Sequence, residues 1–325
     1  MLSMSGDLAI ETRALKRTFK GQVEAVRGVD LTVARGEVFG FLGSNGAGKT
    51  TMVRMLCTLL PPSAGNAAVV GIDVVADPSA VRRRIGVALQ EIGLDPVQSG
   101  RELLELQCGL YGIPRAQARV RATELLELVG LTDAADRRTK TYSGGMKRRL
   151  DLASALVHSP EVLFLDEPTT GLDPSSRRTI WDEVRRINAG GTTVFLTTQY
   201  LEEADQLCDR LAIIDAGTIV AEGTPEQLKA EMGRDVVTLA LGDADATATE
   251  RAVHRLIGLE RVVAEPDALA LYVDNGAGVI AEIVRLLEAD GIRISAINLS
   301  RPSLDDVFLQ ATGRRLEGAK EEHSA

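Results

Sequence analysis

At 325 residues the chain is longer than one ordinary core organises, so two domains are expected. It is 45% hydrophobic and 26% charged, and no apolar run approaches the roughly 18 residues that a membrane helix needs. The net charge of −9 sits late: residues 1–230 carry 27 basic and 29 acidic groups, residues 231–325 carry 10 and 17. An acidic second part argues against a nucleic-acid partner, because phosphate backbones are bound by cationic surfaces. The opening MLSMSGDLAIETRALK has no basic segment leading into an apolar one, which excludes a secretory signal. Cys57, Cys108 and Cys208 are odd in number and widely spaced, so they read as free thiols of a cytosolic protein.

Along residues 1–230, apolar runs alternate with amphipathic stretches, the pattern of a mainly parallel sheet with helices. The predicted strands are GVDLTVA, EVFGFLG, EVLFLDE, TTVFLTT and RLAIIDAG. Between about Gly100 and Lys140 the pattern turns purely helical, so a helical insertion is expected over about 98–157. TPEQLKAEM is predicted to close this domain at residue 233 as a helix, with Thr224 as N-cap and Pro225 in the first turn. From 235 to 312 the order is strand DVVTLAL, helix ATERAVHRLIGL, strands ERVVAEP and ALALYVD, helix GVIAEIVRLLEADG, strand IRISAINL. That βαββαβ order is ferredoxin-like and names no function. Residues 313–325 read as a disordered tail.

The stretch Gly43-Ser44-Asn45-Gly46-Ala47-Gly48-Lys49-Thr50-Thr51 follows a predicted strand and opens a helix. It fits G-x-x-x-x-G-K-[ST], a loop whose glycines let backbone N–H groups converge on phosphate oxygens at a helix start. Lys49 can bridge the β- and γ-phosphates, and the Thr50 hydroxyl can ligate Mg²⁺. EVLFLDE ends in Asp166, placed to hold Mg²⁺, and Glu167, a candidate general base. Ser143-Gly144-Gly145 opens an amphipathic helix and is a second anion site with a serine cap. One nucleotide can use both phosphate loops only if the second comes from another subunit.

With these motifs in this order, residues 8–230 resemble the ATPase subunit of an ABC transporter. YSGGM stands where the family signature LSGGQ is expected, with Tyr142 for Leu and Met146 for Gln. The resemblance implies a P-loop NTPase fold binding ATP and Mg²⁺. It makes Gln90 the Q-loop glutamine, in contact with Mg²⁺ and the attacking water and leading to the membrane-subunit interface. It puts Asp173 at a dimer seam and Phe19, otherwise an ordinary packing aromatic, against adenine.

The strand TTVFLTT runs into Gln199, where most of that family carry a histidine bonded to the γ-phosphate. His158, His254 and His323 stand elsewhere. A glutamine amide still donates to phosphate oxygens but carries no charge near neutral pH. FLTTQYLEEADQLCDR and RPSLDDVFLQATGRR are similar to ATP-binding proteins of bacterial drug exporters of the daunorubicin-resistance type. That group implies a homodimeric ATPase on the inner face of the cell membrane, with a separate integral-membrane permease subunit. A soluble ATP-dependent switch for a macromolecule and an import ATPase with a regulatory tail stay open as alternatives.

Overall fold

A computed structural model describes residues 7–90, 93–232, 235–242, 244–300, 302–314 and 316. Two compact units divide at Glu222/Gly223, the second ending at Arg315. In the first, β1 (Leu8–Phe19), β2 (Val23–Ala34) and β3 (Val38–Leu42) precede α1 (Lys49–Leu56). Then come β4 (Ala64–Val69), β5 (Ile72–Asp73), α2 (Pro78–Arg82) and β6 (Ile85–Ala88). The helical insertion holds α3 (Gly100–Leu110), α4 (Arg115–Leu128) and α5 (Gly144–Ala155). β7 (Val162–Asp166), α6 (Pro174–Ala189), β8 (Thr193–Thr198), α7 (Leu201–Leu207), β9 (Arg210–Asp215) and β10 (Thr218–Gly223) complete it.

The expected parallel sheet is present in the order β10-β9-β3-β8-β7-β6, with β9 to β6 mutually parallel. Its strands β3, β7 and β8 are buried at every position, both faces being covered, and are apolar apart from the threonines of β8 and Asp166 at the end of β7. Val162 and Phe164 of β7 join one core with Phe41, Phe195, Met52 and Ile10. Leu163 and Leu165 point the other way, into a core with Leu104, Leu126 and Val184. GVDLTVA does not belong to this sheet. It lies in β2, within a separate antiparallel sheet of order β2-β1-β4-β5. The short turn after Phe19, with Gly21 at φ 83°, permits only an antiparallel return.

The second unit carries α8 (Pro225–Glu231), β11 (Asp235–Ala240), α9 (Ala246–Val253), β12 (Leu259–Ala264) and β13 (Ala268–Val273). It ends with α10 (Gly276–Ala289), β14 (Ala296–Ser300) and α11 (Leu304–Thr312). The sheet order β12-β13-β11-β14, all antiparallel, is the ferredoxin-like arrangement. Thr224 caps α8 as expected, its hydroxyl accepting from Gln227 N. That helix, however, packs on α11 and so belongs to the second unit, the first giving way at Glu222, eleven residues before its predicted end at 233. Where a tail was expected, Gly313 closes α11 at φ 74° and Leu316 is buried. Residues 315 and 317–325 lie outside the described residues.

Candidate functional site

The site lies beyond the carboxyl ends of β3, β7 and β8, where ligands of open α/β sheets bind. β3 delivers the chain into the glycine-rich loop, and α1 begins as that loop ends. Gly48, at φ 115°, is the N-cap of α1, and a Cβ there would collide with the Ala25 carbonyl oxygen. A Cβ on Gly43 would sit 2.5 Å from the Ile214 carbonyl oxygen. Both positions need glycine for close backbone approach.

Lys49 is 4% exposed, and its ammonium donates to the carbonyl oxygens of Gly43 at 2.6 Å and Ser44 at 3.2 Å. It also pairs with Glu167 Oε1 at 3.2 Å. Burial lowers the Lys49 pKa, and Glu167 opposes that shift most strongly. Glu167 Oε2 accepts from Gln90 Nε2 at 3.4 Å and from the Thr170 hydroxyl at 3.3 Å. Asp166, 1% exposed, accepts on Oδ1 from Thr50 at 3.2 Å and from Thr197 at 2.6 Å. The Thr197 hydroxyl in turn accepts from Glu167 N at 3.0 Å. Glu167 itself sits at φ 49°, a strained backbone region for a side-chain-bearing residue.

A cavity of about 430 Å³ gathers Ser44, Asn45, Gly46, Gly48, Lys49, Thr50 and Thr51 with Gln90, Glu167 and Gln199. Eight of the predicted residues stand outside its lining: Gly43, Ala47 and Asp166 from the strand ends and loop, and Phe19, Ser143, Gly144, Gly145 and Asp173. Ser143, Gly144 and Gly145 begin α5, where the Ser143 hydroxyl accepts from Met146 N at 3.2 Å. Tyr142, the departure from the family signature, is buried and donates to the Ala134 carbonyl oxygen at 2.7 Å. Asp173 caps α6, and hydrogen bonds from Ser175 and Ser176 hold its carboxyl well below the usual range. Phe19 is 39% exposed at the β1–β2 turn, with the Arg17 guanidinium 4.8 Å from its ring centroid.

Residues 26–170 match the ABC transporter family, and residues 223–312 match the ATP-binding protein DrrA1-3-like, C-terminal domain. The daunorubicin resistance ATP-binding protein DrrA3 of Streptomyces coeruleorubidus is 48% identical over 96% of this chain and 99% of its own length. The chain belongs to the ABC transporter ATP-binding proteins. A second such relative, the daunorubicin/doxorubicin resistance ATP-binding protein DrrA of Streptomyces peucetius, is 47% identical, covering 98% of this chain and 96% of its own. Among solved structures of ABC proteins, cbiO1 from Clostridium perfringens superposes with a TM-score of 0.65 at 25% identity. It covers 77% of this chain and 96% of its own. The chain is therefore an ABC ATPase that binds and hydrolyses ATP.

Three contributors to this ABC site have no assigned part in the sequence reading. Thr197 ties the two acidic residues together. Glu203 of α7 is fully buried, and its Oε1 accepts from Thr169 and from Trp181, both at 2.9 Å. Burial raises its pKa. Arg148 of α5 is the third.

Proposed function

We propose that two copies of this chain close face to face around two MgATP. Each nucleotide lies between Gly43–Thr51 of one copy and Ser143–Gly145 of the other, with Asp173 at the seam and Phe19 against adenine. The observation that carries this reading is the split of the phosphate-binding machinery. Lys49, Gln90, Glu167 and Gln199 share one cavity, while the capped glycine-rich start of α5 stands outside it and exposed.

The donor set around Asp166 fits Mg²⁺: a buried carboxylate and a threonine hydroxyl 3.2 Å apart are hard oxygen ligands. Thr50, Gln90 and Asp166 would hold the ion, which supplies charge neutralisation at the β- and γ-phosphate oxygens. Glu167 accepts a proton from the water that attacks the γ-phosphorus, and the bridging oxygen leaves with ADP. Lys49 follows the β- and γ-phosphates, and the Gln199 amide donates to the γ-phosphate.

Opening after hydrolysis drives a separate integral-membrane permease, which moves a small hydrophobic compound outward, as the names of the drug-resistance relatives suggest. No helix among the described residues is long and apolar enough to cross a membrane. The chain then works from the cytoplasm, bound to the inner membrane face. Leu110 and Val120, 73% and 59% exposed, rim a groove of about 1060 Å³ that supports docking of an apolar segment of that permease.

The test is Mg²⁺-dependent ATP hydrolysis over a range of protein concentrations, beside Glu167→Gln. Activity rising more than linearly with protein, and lost in the variant, is the expected result. Strictly proportional activity from a monomer would overturn the two-copy site.

A further inference from the structure

Arg148 lies on α5, one and a half turns beyond the Ser143 cap, and is 5% exposed. Its guanidinium makes three bonds to main-chain oxygens. Nε donates to Pro168 O at 2.9 Å, Nη2 to Asp166 O at 3.0 Å and Nη1 to Leu89 O at 2.5 Å. Asp151 Oδ2 stands 3.4 Å from Nη1. The Asp166 carbonyl belongs to the peptide leading into Glu167, and the Leu89 carbonyl to the peptide leading into Gln90. The Pro168 carbonyl follows Glu167 by one residue. A single side chain therefore grips the backbone on both sides of the strained Glu167 and immediately before its partner Gln90.

We infer that Arg148 is a positioning residue for hydrolysis, fixing the peptide planes that aim Glu167 and Gln90 and tying both to the helix that begins at Ser143-Gly144-Gly145. This goes beyond the function proposed above and rests on its reading of Glu167 as the base. Only a planar fork of donors meets three acceptors so placed; a lysine is a point charge and leaves at least one buried carbonyl without a partner. A left-handed backbone at a residue with a side chain persists only where its surroundings impose it, and Arg148 supplies two of the bonds that do so.

A merely structural role makes a different forecast. Arg149, the next residue, is also a staple, with Nη1 donating to Val129 O at 2.9 Å and Gly130 O at 3.2 Å, away from the cavity. The experiment compares Arg148→Lys, Arg149→Lys and Glu167→Gln in the full chain, measuring kcat for MgATP per folded molecule and affinity for a fluorescent ATP analogue. Misaimed catalytic groups cost rate and leave binding intact, so Arg148→Lys should lower kcat by roughly 10- to 100-fold at affinity within about threefold. Arg149→Lys should keep kcat within about twofold. Unchanged kcat per folded Arg148→Lys molecule, or kcat and affinity falling together, overturns the inference. If Arg148→Lys does not fold, Arg148→Gln is measured in the same way; failure of both to fold assigns Arg148 to folding and also overturns it. Wild-type turnover in Glu167→Gln would instead show that the base is misassigned, and the inference would fall with that reading.

Discussion

Lys49 and Glu167 form an ion pair, Nζ to Oε1 3.2 Å, with side chains only 4% and 7% exposed. Glu167 is the largest charge offsetting the burial of the Lys49 ammonium, so a phosphate that draws the ammonium away also releases the carboxylate. The two residues should therefore respond differently to substitution. Lys49→Met leaves a buried carboxylate without its cation and should cost about 3–5 kcal/mol of stability as well as ATP binding. Glu167→Gln keeps a polar partner for Gln90 and Thr170; it should retain binding and lose about 10²- to 10⁴-fold in turnover. Denaturant titration and binding of a fluorescent ATP analogue separate the cases. Losses that simply add in the Lys49→Met/Glu167→Gln double variant would show that the pair is not energetically coupled.

Gln199 lines the same cavity as Glu167 and Lys49. Its amide does not titrate, so turnover should show no inflection near pH 6–7 that depends on residue 199. Gln199→His should introduce one, with a midpoint near ~6.5 for an ordinary imidazole. Gln199→Ala should lower kcat by about tenfold or more through loss of a donor to the developing charge. A wild-type inflection that disappears in Gln199→Ala would refute the uncharged sensor.

Asp151 gives a pH effect of another kind. Burial raises its pKa from 3.8 to about 6, with Arg148 opposing. The folded chain thus keeps a proton that the unfolded chain has released, and stability from this group falls as pH rises from about 4 through about 6. Two pKa units correspond to roughly 3 kcal/mol. The stability of the wild type relative to Asp151→Asn should drop by about that amount between pH 4 and 7. A pH-independent difference in denaturant titrations would show that Asp151 is ionised in both states.

The placement of the phosphate loop between β3 and α1, and of Asp166 and Glu167 at the end of β7, could be read from sequence because it is local: a strand and the turn that follows it fix where those residues stand. The apolar runs of β3, β7 and β8 were readable for a similar reason, since strands covered on both faces need no polar residue. β1 was not. LAIETRALKRTF presents its charged residues outward in an irregular pattern, broken by register shifts against β2. Arg148 escaped because its acceptors are main-chain oxygens 18 to 59 residues away, and any residue type supplies a carbonyl. Helix α11 followed a Ser303 capping box that was present in the sequence, in a segment read for its resemblance and not for its caps.

The position of the domain boundary is open to direct test. Leu228 and Met232 are 2% and 7% exposed, and α8 packs on α11 of the second unit. A fragment of residues 223–316 keeps that contact, whereas one of residues 235–316 loses it. Burying a side chain of this size contributes about 1.5–3 kcal/mol, so the shorter fragment should be less stable by several kcal/mol. It also strips α11 of the helix packed on it, and should bind a hydrophobic dye where the longer one does not. Thermal melts of the two fragments decide the matter. Equal melting temperatures would return α8 to the ATPase unit, where the sequence pattern alone had placed it.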